Sequence, residues 1–419
     1  MACLLRKIQI NIHTSPHTAF FSILPQTKQP LKKAAFLFYF TFCILHSSFA
    51  QDSCGLRISL LTCAPGAELY STFGHTAVRV SDKSTGLDEV YNYGTFEFDE
   101  DFYVKFVRGK LLYALSVESF PEFMYQYQME SRSVIEQDLS LSCAQKQELY
   151  QRLRTNALPQ NRHYRYDFLF DNCTTRARDM IDTGATAPVR FKNLLPLKPL
   201  TFREHITVYL NKAHQDWSKL GIDLLLGAKM DRRSSNTEAM FLPDNLMMAF
   251  DSATVEGKPL VASKQTILAV PSLATESFFF TPVVTFSLFL LIVLALTLIK
   301  KRWAQTAVSI VDFLLFFTLG LVGVLLLFMW FGTDHKLCAN NYNLLWALPT
   351  DLVAAFLVHK RSGRVQLYFK IVFWLTVLLL VLWPFLPQQM NIGFLPLVLA
   401  IALRSGIIAN RKRNADKRI

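Results

Sequence analysis

The chain has 419 residues, too many for one ordinary hydrophobic core, so two or more units are expected. Apolar residues make up 51% of it, and the excess lies after Ser277, where Phe278 to Ile299 carry no charge; this is membrane composition and excludes a wholly soluble chain. The net charge of +12 does not indicate nucleic acid, because many basic residues flank apolar runs, in Lys300-Lys301-Arg302, Lys360-Arg361 with Arg364, and Arg411-Lys412-Arg413 with Lys417-Arg418, where they set membrane orientation.

Lys32-Lys33 precede an apolar stretch from Ala34 to Leu45, and Ser48-Phe49-Ala50 offers the small residues of a cleavage site, so residues 1–50 read as a signal peptide or N-terminal anchor. Cys54 follows closely, but Gln51-Asp52-Ser53 is not a lipobox. Residues 51–200 then read as an exported α+β domain. Leu56, Ile58 and Leu60 alternate with polar neighbours, as a half-buried strand does, and further strands are expected at Thr76–Val80, Glu89–Tyr93, Leu111–Val117 and Val134–Leu139. Asp82 to Gly86 is a hairpin turn, and helices are expected from Pro121 and from Ser142, where Ser142 and Gln145 have capping-box spacing.

Residues 201–276 read as a helical adaptor leading to the bilayer, and 277–419 as a transmembrane domain with about five spans, near 278–299, 307–331, 343–358, 369–386 and 391–408. Basic clusters follow the first, third and fifth spans, which puts the C-terminus in the cytoplasm and the domain after residue 51 in the periplasm of a bacterial inner membrane. The third and fifth spans are short, so a tilted or re-entrant segment is an alternative there. Cys54, Cys63, Cys143 and Cys173 fall in the exported part, an even number that allows two disulfides in an oxidising compartment.

Chemistry concentrates in Tyr166-Asp167-Phe168-Leu169-Phe170-Asp171-Asn172-Cys173-Thr174-Thr175-Arg176. Asp171-Asn172 halt an aromatic run and are good N-cap residues, so Cys173 falls in the first turn of a helix running to Gly184. There the helix dipole favours a thiolate, and Arg176 adds positive charge; a disulfide or buried thiol is the competing reading. A thiolate nucleophile needs a base, and His75, after the permissive Gly74, is the candidate. Asn92 is the choice for a third group holding the imidazole, with Glu89 and Tyr91 as competitors on the opposite face of the same strand. Tyr91, Tyr164, Arg176 and His335 are candidate substrate-binding residues, His335 with a loop cap as the alternative. Tyr164, Tyr166 and the run Tyr91, Tyr93, Phe96 and Phe98 line a lipid entrance or simply pack a core. No metal motif and no phosphate loop is present, and no cofactor is expected.

Taken in order, Leu60 to Gly66, Tyr70 to Ala77, Val90 to Phe98, Phe106 to Lys110 and Asp167 to Arg176 resemble the Bacteroidetes-type lipoprotein N-acyltransferases. The resemblance is detailed from Arg57 to Gly184 and looser through the membrane spans. It implies a permuted papain-like (NlpC/P60-like) periplasmic domain followed by an all-α transmembrane bundle, with Cys173 as nucleophile and His75 as general base. It implies, as partners, a phospholipid acyl donor, a diacylated lipoprotein acceptor and the bilayer itself, and the reaction is attachment of a third acyl chain to the lipoprotein's N-terminal cysteine. A papain-like endopeptidase or amidase acting on cell-wall peptide uses the same pair, though it needs only an anchor. A periplasmic sensor or assembly factor would instead hold Cys173 in a disulfide.

Overall fold

In the computed structural model, residues 54–411 are described, except 98, 186, 194, 195, 197 and 272–277; the signal or anchor expected at 1–50 lies outside the described residues. The expected strands assemble into one sheet. Its members are β1 (Leu56–Cys63), β2 (His75–Asp82), β3 (Leu87–Thr95), β4 (Leu112–Ser119), β5 (Val134–Leu139), β6 (His163–Arg165) and β9 (Val261–Leu268), in the order β6-β4-β3-β2-β1-β5-β9, every pair antiparallel. A short hairpin, β7 (Thr254–Val255) and β8 (Lys258–Pro259), precedes β9.

Alternation along these strands divides the sheet into two faces. On one, Ile58, Leu60, Val78, Val80, Tyr91, Tyr93 and Leu115 are buried with Leu149 and Leu153 of α3 (Cys143–Ala157), Ala177 and Ile181 of α4 (Cys173–Gly184), and Leu246 and Phe250 of α7 (Pro243–Ser252). On the other, Leu61, Cys63, Ala77 and Val90 pack on Phe123 and Tyr127 of α2 (Phe120–Met129). Capping boxes start both α2, from Ser119 to Glu122, and α3, from Ser142 to Gln145, satisfying N–H groups that helix starts leave unpaired. A disulfide joins Cys54, just before β1, to Cys143 at the start of α3.

The boundary expected at residue 200 moves. The stretch 201–276 is not helical throughout: α5 (Phe202–Lys212) and α6 (Asp216–Leu225) are helices, but β9 is an edge strand of the main sheet and α7 packs into its core. The reason it escapes a hydrophobicity reading is that β9 is polar and mostly exposed, Val-Ala-Ser-Lys-Gln-Thr-Ile-Leu, as suits a sheet edge.

Among the described residues, three helices are long and apolar enough to cross a membrane, Arg302–Phe331, Gly363–Phe385 and Ile392–Ala409, and a shorter apolar one, α8 (Pro282–Leu298), precedes them. Here α9 denotes Arg302–Phe331, α10 Gly363–Leu382 and α11 Leu395–Ala409. The span expected at 343–358 is broken into turns at Tyr342–Leu345, Asp351–Ala354 and Ala355–Leu357. Pro349 lacks the N–H a continuous helix needs, and the segment lies so close to α9 that a side chain at Gly320 or Gly323 would strike the backbone of Leu352 or Ala347. Asp312 of α9 makes a two-pronged ion pair with Arg404 of α11, at 2.6 and 2.9 Å, both fully buried, tying two of these apolar helices together.

The soluble part sits directly on this bundle. Asn341 and Asn343 donate their side-chain amides to the carbonyls of Asp223, Leu224 and Leu225 at the end of α6, and Arg203 of α5 pairs with Asp223 and Asp231, at 2.8 and 2.9 Å. Carbonyls left open by a helix end are thereby satisfied from the membrane-side loop.

Candidate active site

The loop before α4 is wound tightly by local hydrogen bonds. The Asp167 carboxylate accepts from the N–H groups of Leu169 and Phe170, at 3.0 and 3.1 Å, and its backbone pairs with Asp171. Asn172 then caps the helix: its Oδ1 accepts from the N–H groups of Thr174 and Thr175, at 2.9 and 2.8 Å. Its Nδ2 donates to the carbonyls of Phe168 and Phe241, so a residue 69 positions away helps aim the cap. Cys173 is the first helical residue, and its own N–H stays outside the cap.

His75 opens β2 after Gly74, whose φ of +79° and close approach to the Cys63 carbonyl suit glycine alone. The imidazole Nε2 lies 2.6 Å from Asn92 Oδ1, and Asn92 Nδ2 donates to Glu118 Oε1 at 2.8 Å. The carboxylate only accepts, so it holds the NH2 end of Asn92 and turns the carbonyl end to the ring. Nε2 must then donate, which leaves Nδ1 as the ring nitrogen for the sulfur. The Cys173 thiol and the His75 imidazole stand close enough to act on each other's charge. Glu118 was missed in the sequence reading; its signal is the pairing of β4 with β3, in which Glu118 stands opposite Val90, two residues from Asn92 on the same face.

Burial pushes the Cys173 thiol up, but the neighbouring imidazolium, its hydrogen bond, the Thr76 N–H and the Thr174 hydroxyl together bring it down to about 7. Burial alone would lower His75; the Cys173 thiolate, the hydrogen bond to it and the Asn92 acceptor outweigh burial and raise it. Each group stabilises the other's charged form, the arrangement of an activated thiol. Cys173 is a free thiol, as is Cys63, so the four exported cysteines form one disulfide rather than two.

Gly94 completes the surroundings of the sulfur. It sits in a β-bulge at φ +89°, and a Cβ there would lie 3.6 Å from Cys173 Cβ, 3.7 Å from Tyr166 and 4.0 Å from the Tyr164 hydroxyl. That hydroxyl is buried and has no hydrogen-bond partner. The Arg176 guanidinium lies 3.5 Å over the Tyr164 ring while pairing with Asp171 at 2.6 and 2.9 Å; its hydrogen bonds go to the loop, not into an open cleft. Tyr91 is buried to 1% on the face of β3 opposite Asn92, with its hydroxyl on Glu89, and offers no surface to a ligand. Both competitors for the third position are thus paired with each other across the strand from the imidazole. His335 lies apart, its Nε2 3.0 Å from the carbonyl of Phe106.

Two family models match the chain, the Lnb N-terminal periplasmic domain over residues 50–207 and the Lnb transmembrane domain over residues 274–414. No curated protein and no solved structure matches it significantly. Matched in sequence order by both halves of one architecture, over more than half its length, the chain belongs to the Lnb-type lipoprotein N-acyltransferase family and is a membrane protein with a periplasmic and a transmembrane domain.

Proposed function

We propose that this protein is an inner-membrane lipoprotein N-acyltransferase that works through a Cys173 thioester. The observation that supports this reading is Cys173 at a helix start in the periplasmic domain, beside the His75 imidazole, which is itself held by Asn92 and, through it, Glu118. The thiolate attacks the ester carbonyl of a phospholipid. The oxyanion that forms meets the Cys173 N–H and, as a second donor, the unpartnered Tyr164 hydroxyl. The carbon–oxygen bond breaks, His75 gives its proton to the departing alcohol, and a thioester remains. The free α-amine of a diacylated lipoprotein then attacks the thioester, His75 takes the amine's proton, and the thiol leaves as the amide forms. An amide is more stable than a thioester, so the second step runs downhill without a nucleotide. Holding the site at the bilayer brings two membrane-anchored substrates together that would otherwise meet rarely. Because Cys173 is a free thiol, the sensor reading, which needs it in a disulfide, has no support. The test is mass spectrometry of lipoprotein N-terminal peptides from cells carrying wild-type protein or Cys173→Ala. Loss of one fatty acyl mass in the variant is expected, and unchanged lipopeptides would reject the proposal.

A further inference from the structure

Exposed apolar residues are scattered over the soluble part, and four of them fall together on one short helix, α1 (Phe102–Val107). Tyr103, Val104, Phe106 and Val107 are 74, 57, 50 and 43% exposed, four of six residues in one turn and a half. Single exposed apolar residues are ordinary, but a contiguous cluster marks a contact surface. What lies beside it is the membrane bundle. The Asp334 N–H donates to the Arg108 carbonyl at 2.9 Å, His335 Nε2 meets the Phe106 carbonyl at 3.0 Å, and Arg165 approaches Asp334 at 3.5 Å. Gly109, at φ +69°, is pressed against Asp334 and His335 so closely that a Cβ would lie 3.2 Å from their backbone. Only three residues earlier α9 ends in Trp330 and Phe331, stacked at 4.9 Å, the kind of aromatic pair that marks the edge of the hydrocarbon. The chain therefore pins α1 at the level where a membrane-crossing helix emerges.

From α1 a series of rings runs inward. Centroids of Phe106 and Phe102 are 6.1 Å apart, Phe102 and Phe96 5.5 Å, Phe96 and Tyr113 5.3 Å, and Tyr113 and Tyr166 4.4 Å. Tyr166 and Cys173 then face the same point above Gly94, at 3.7 and 3.6 Å, where the missing side chain leaves room. We propose that α1 is seated in the outer leaflet and that this aromatic series is the path by which the acyl chain of a bilayer lipid reaches Cys173. The seating stands independently of the chemistry, whereas the path rests on the acyl-transfer reading. Aromatic faces suit the occupant, because they offer a continuous apolar track with few rotamers to freeze. His335, bound to the Phe106 carbonyl, is on this view a positioning residue for the port rather than a substrate ligand.

Two measurements decide the proposal. In full-length Cys173→Ser protein reconstituted in phospholipid nanodiscs, an environment-sensitive fluorophore is attached at Tyr103→Cys or, as control, at Lys83→Cys in the β2–β3 turn. Loss of emission at 103 but not at 83 when the lipids carry a quencher on the acyl chain supports the seating; equal emission at both overturns it. In otherwise wild-type protein, Phe106→Lys or Val104→Lys should slow formation of the lipid-derived thioester about tenfold or more, from lost apolar contact. Alkylation of Cys173 by iodoacetamide should stay at the wild-type rate, which shows that the site is intact. Thioester formation as fast as in wild type overturns the path. If wild-type protein forms no thioester at all, the acyl-transfer reading fails, and the fluorescence result still decides where α1 lies.

Discussion

Two buried free thiols lie in neighbouring parts of this domain, and their environments drive them in opposite directions. Cys63 ends β1, directly across from His75 in the strand register, packed on Tyr127 with no helix start beside it. Burial pushes its thiol up to about 12, against a hydrogen bond from Tyr127, so it stays protonated. Cys173 is buried too, yet its thiol is brought down to about 7. Burial is thus common to both. What separates them is the neighbouring imidazole, the Thr76 N–H and the Thr174 hydroxyl, which act on the sulfur that the cap at Asn172 sets at the helix start. A low dielectric makes an unpaired thiol inert and makes a paired one strongly activated, because it strengthens whatever charge partner is present.

The comparison is tested most severely at Cys173 itself. Cys173→Ala should abolish thioester formation, a loss of roughly 10⁴-fold or more of the kind that follows removal of a nucleophile; thioester detected at Cys63 in that variant would erase the distinction between the two thiols. Next is His75→Ala, expected to slow acyl transfer by roughly 10²–10⁴-fold, the usual contribution of a general base. The pH profile of iodoacetamide alkylation gives its sign. Since the Cys173 pKa is lowered, its thiolate persists down to about pH 7 in wild type and is lost as pH falls through that value. In His75→Ala the midpoint should rise, because the group that holds the charge is gone and burial is left unopposed. An unmoved midpoint would show that the helix start alone activates the sulfur.

Smaller effects sharpen the picture. Glu118→Gln lets the new amide donate, so Asn92 is no longer compelled to turn its carbonyl to the ring; loss of one charge-assisted hydrogen bond predicts about a tenfold fall in kcat, with thermal stability little changed. If Asn92→Ala and Glu118→Gln together cost no more than Asn92→Ala alone, Glu118 acts through Asn92. The smallest effect is expected for Cys63→Ala, which should leave the alkylation profile of Cys173 and the transfer rate within about threefold while costing roughly 1 kcal/mol of stability through the small cavity it opens. A large change in rate there would mean that the two thiols are coupled.

Several features were legible from residue order because their causes are local. Residue types placed β1 and β5, although β1 is buried on both faces rather than half-buried as its alternation suggested; spacing placed the capping box from Ser142 to Gln145, and Asp171-Asn172 placed Cys173 at a helix start, since a cap forms between residues two or three apart. The choice among Asn92, Glu89 and Tyr91 stayed open, because alternation separates the two faces without saying which one the imidazole occupies. Pairing between β2 and β3 decided it, as pairing between β3 and β4 brought in Glu118. Arg176 and His335 looked available as single residues and are engaged by Asp171 and by the Phe106 carbonyl.

Hydropathy by itself determined that the chain carries a membrane domain, and local patterning determined an α+β domain with a thiol at a helix start. Only tertiary structure decided that β9 closes the sheet from beyond residue 260, that the stretch around Pro349 is broken against the glycines of α9, and that α1 is held beside the end of that helix. Each of these depends on contacts between residues tens to hundreds of positions apart, whose energy is set by what the partner presents. No window along one strand of sequence contains the partner.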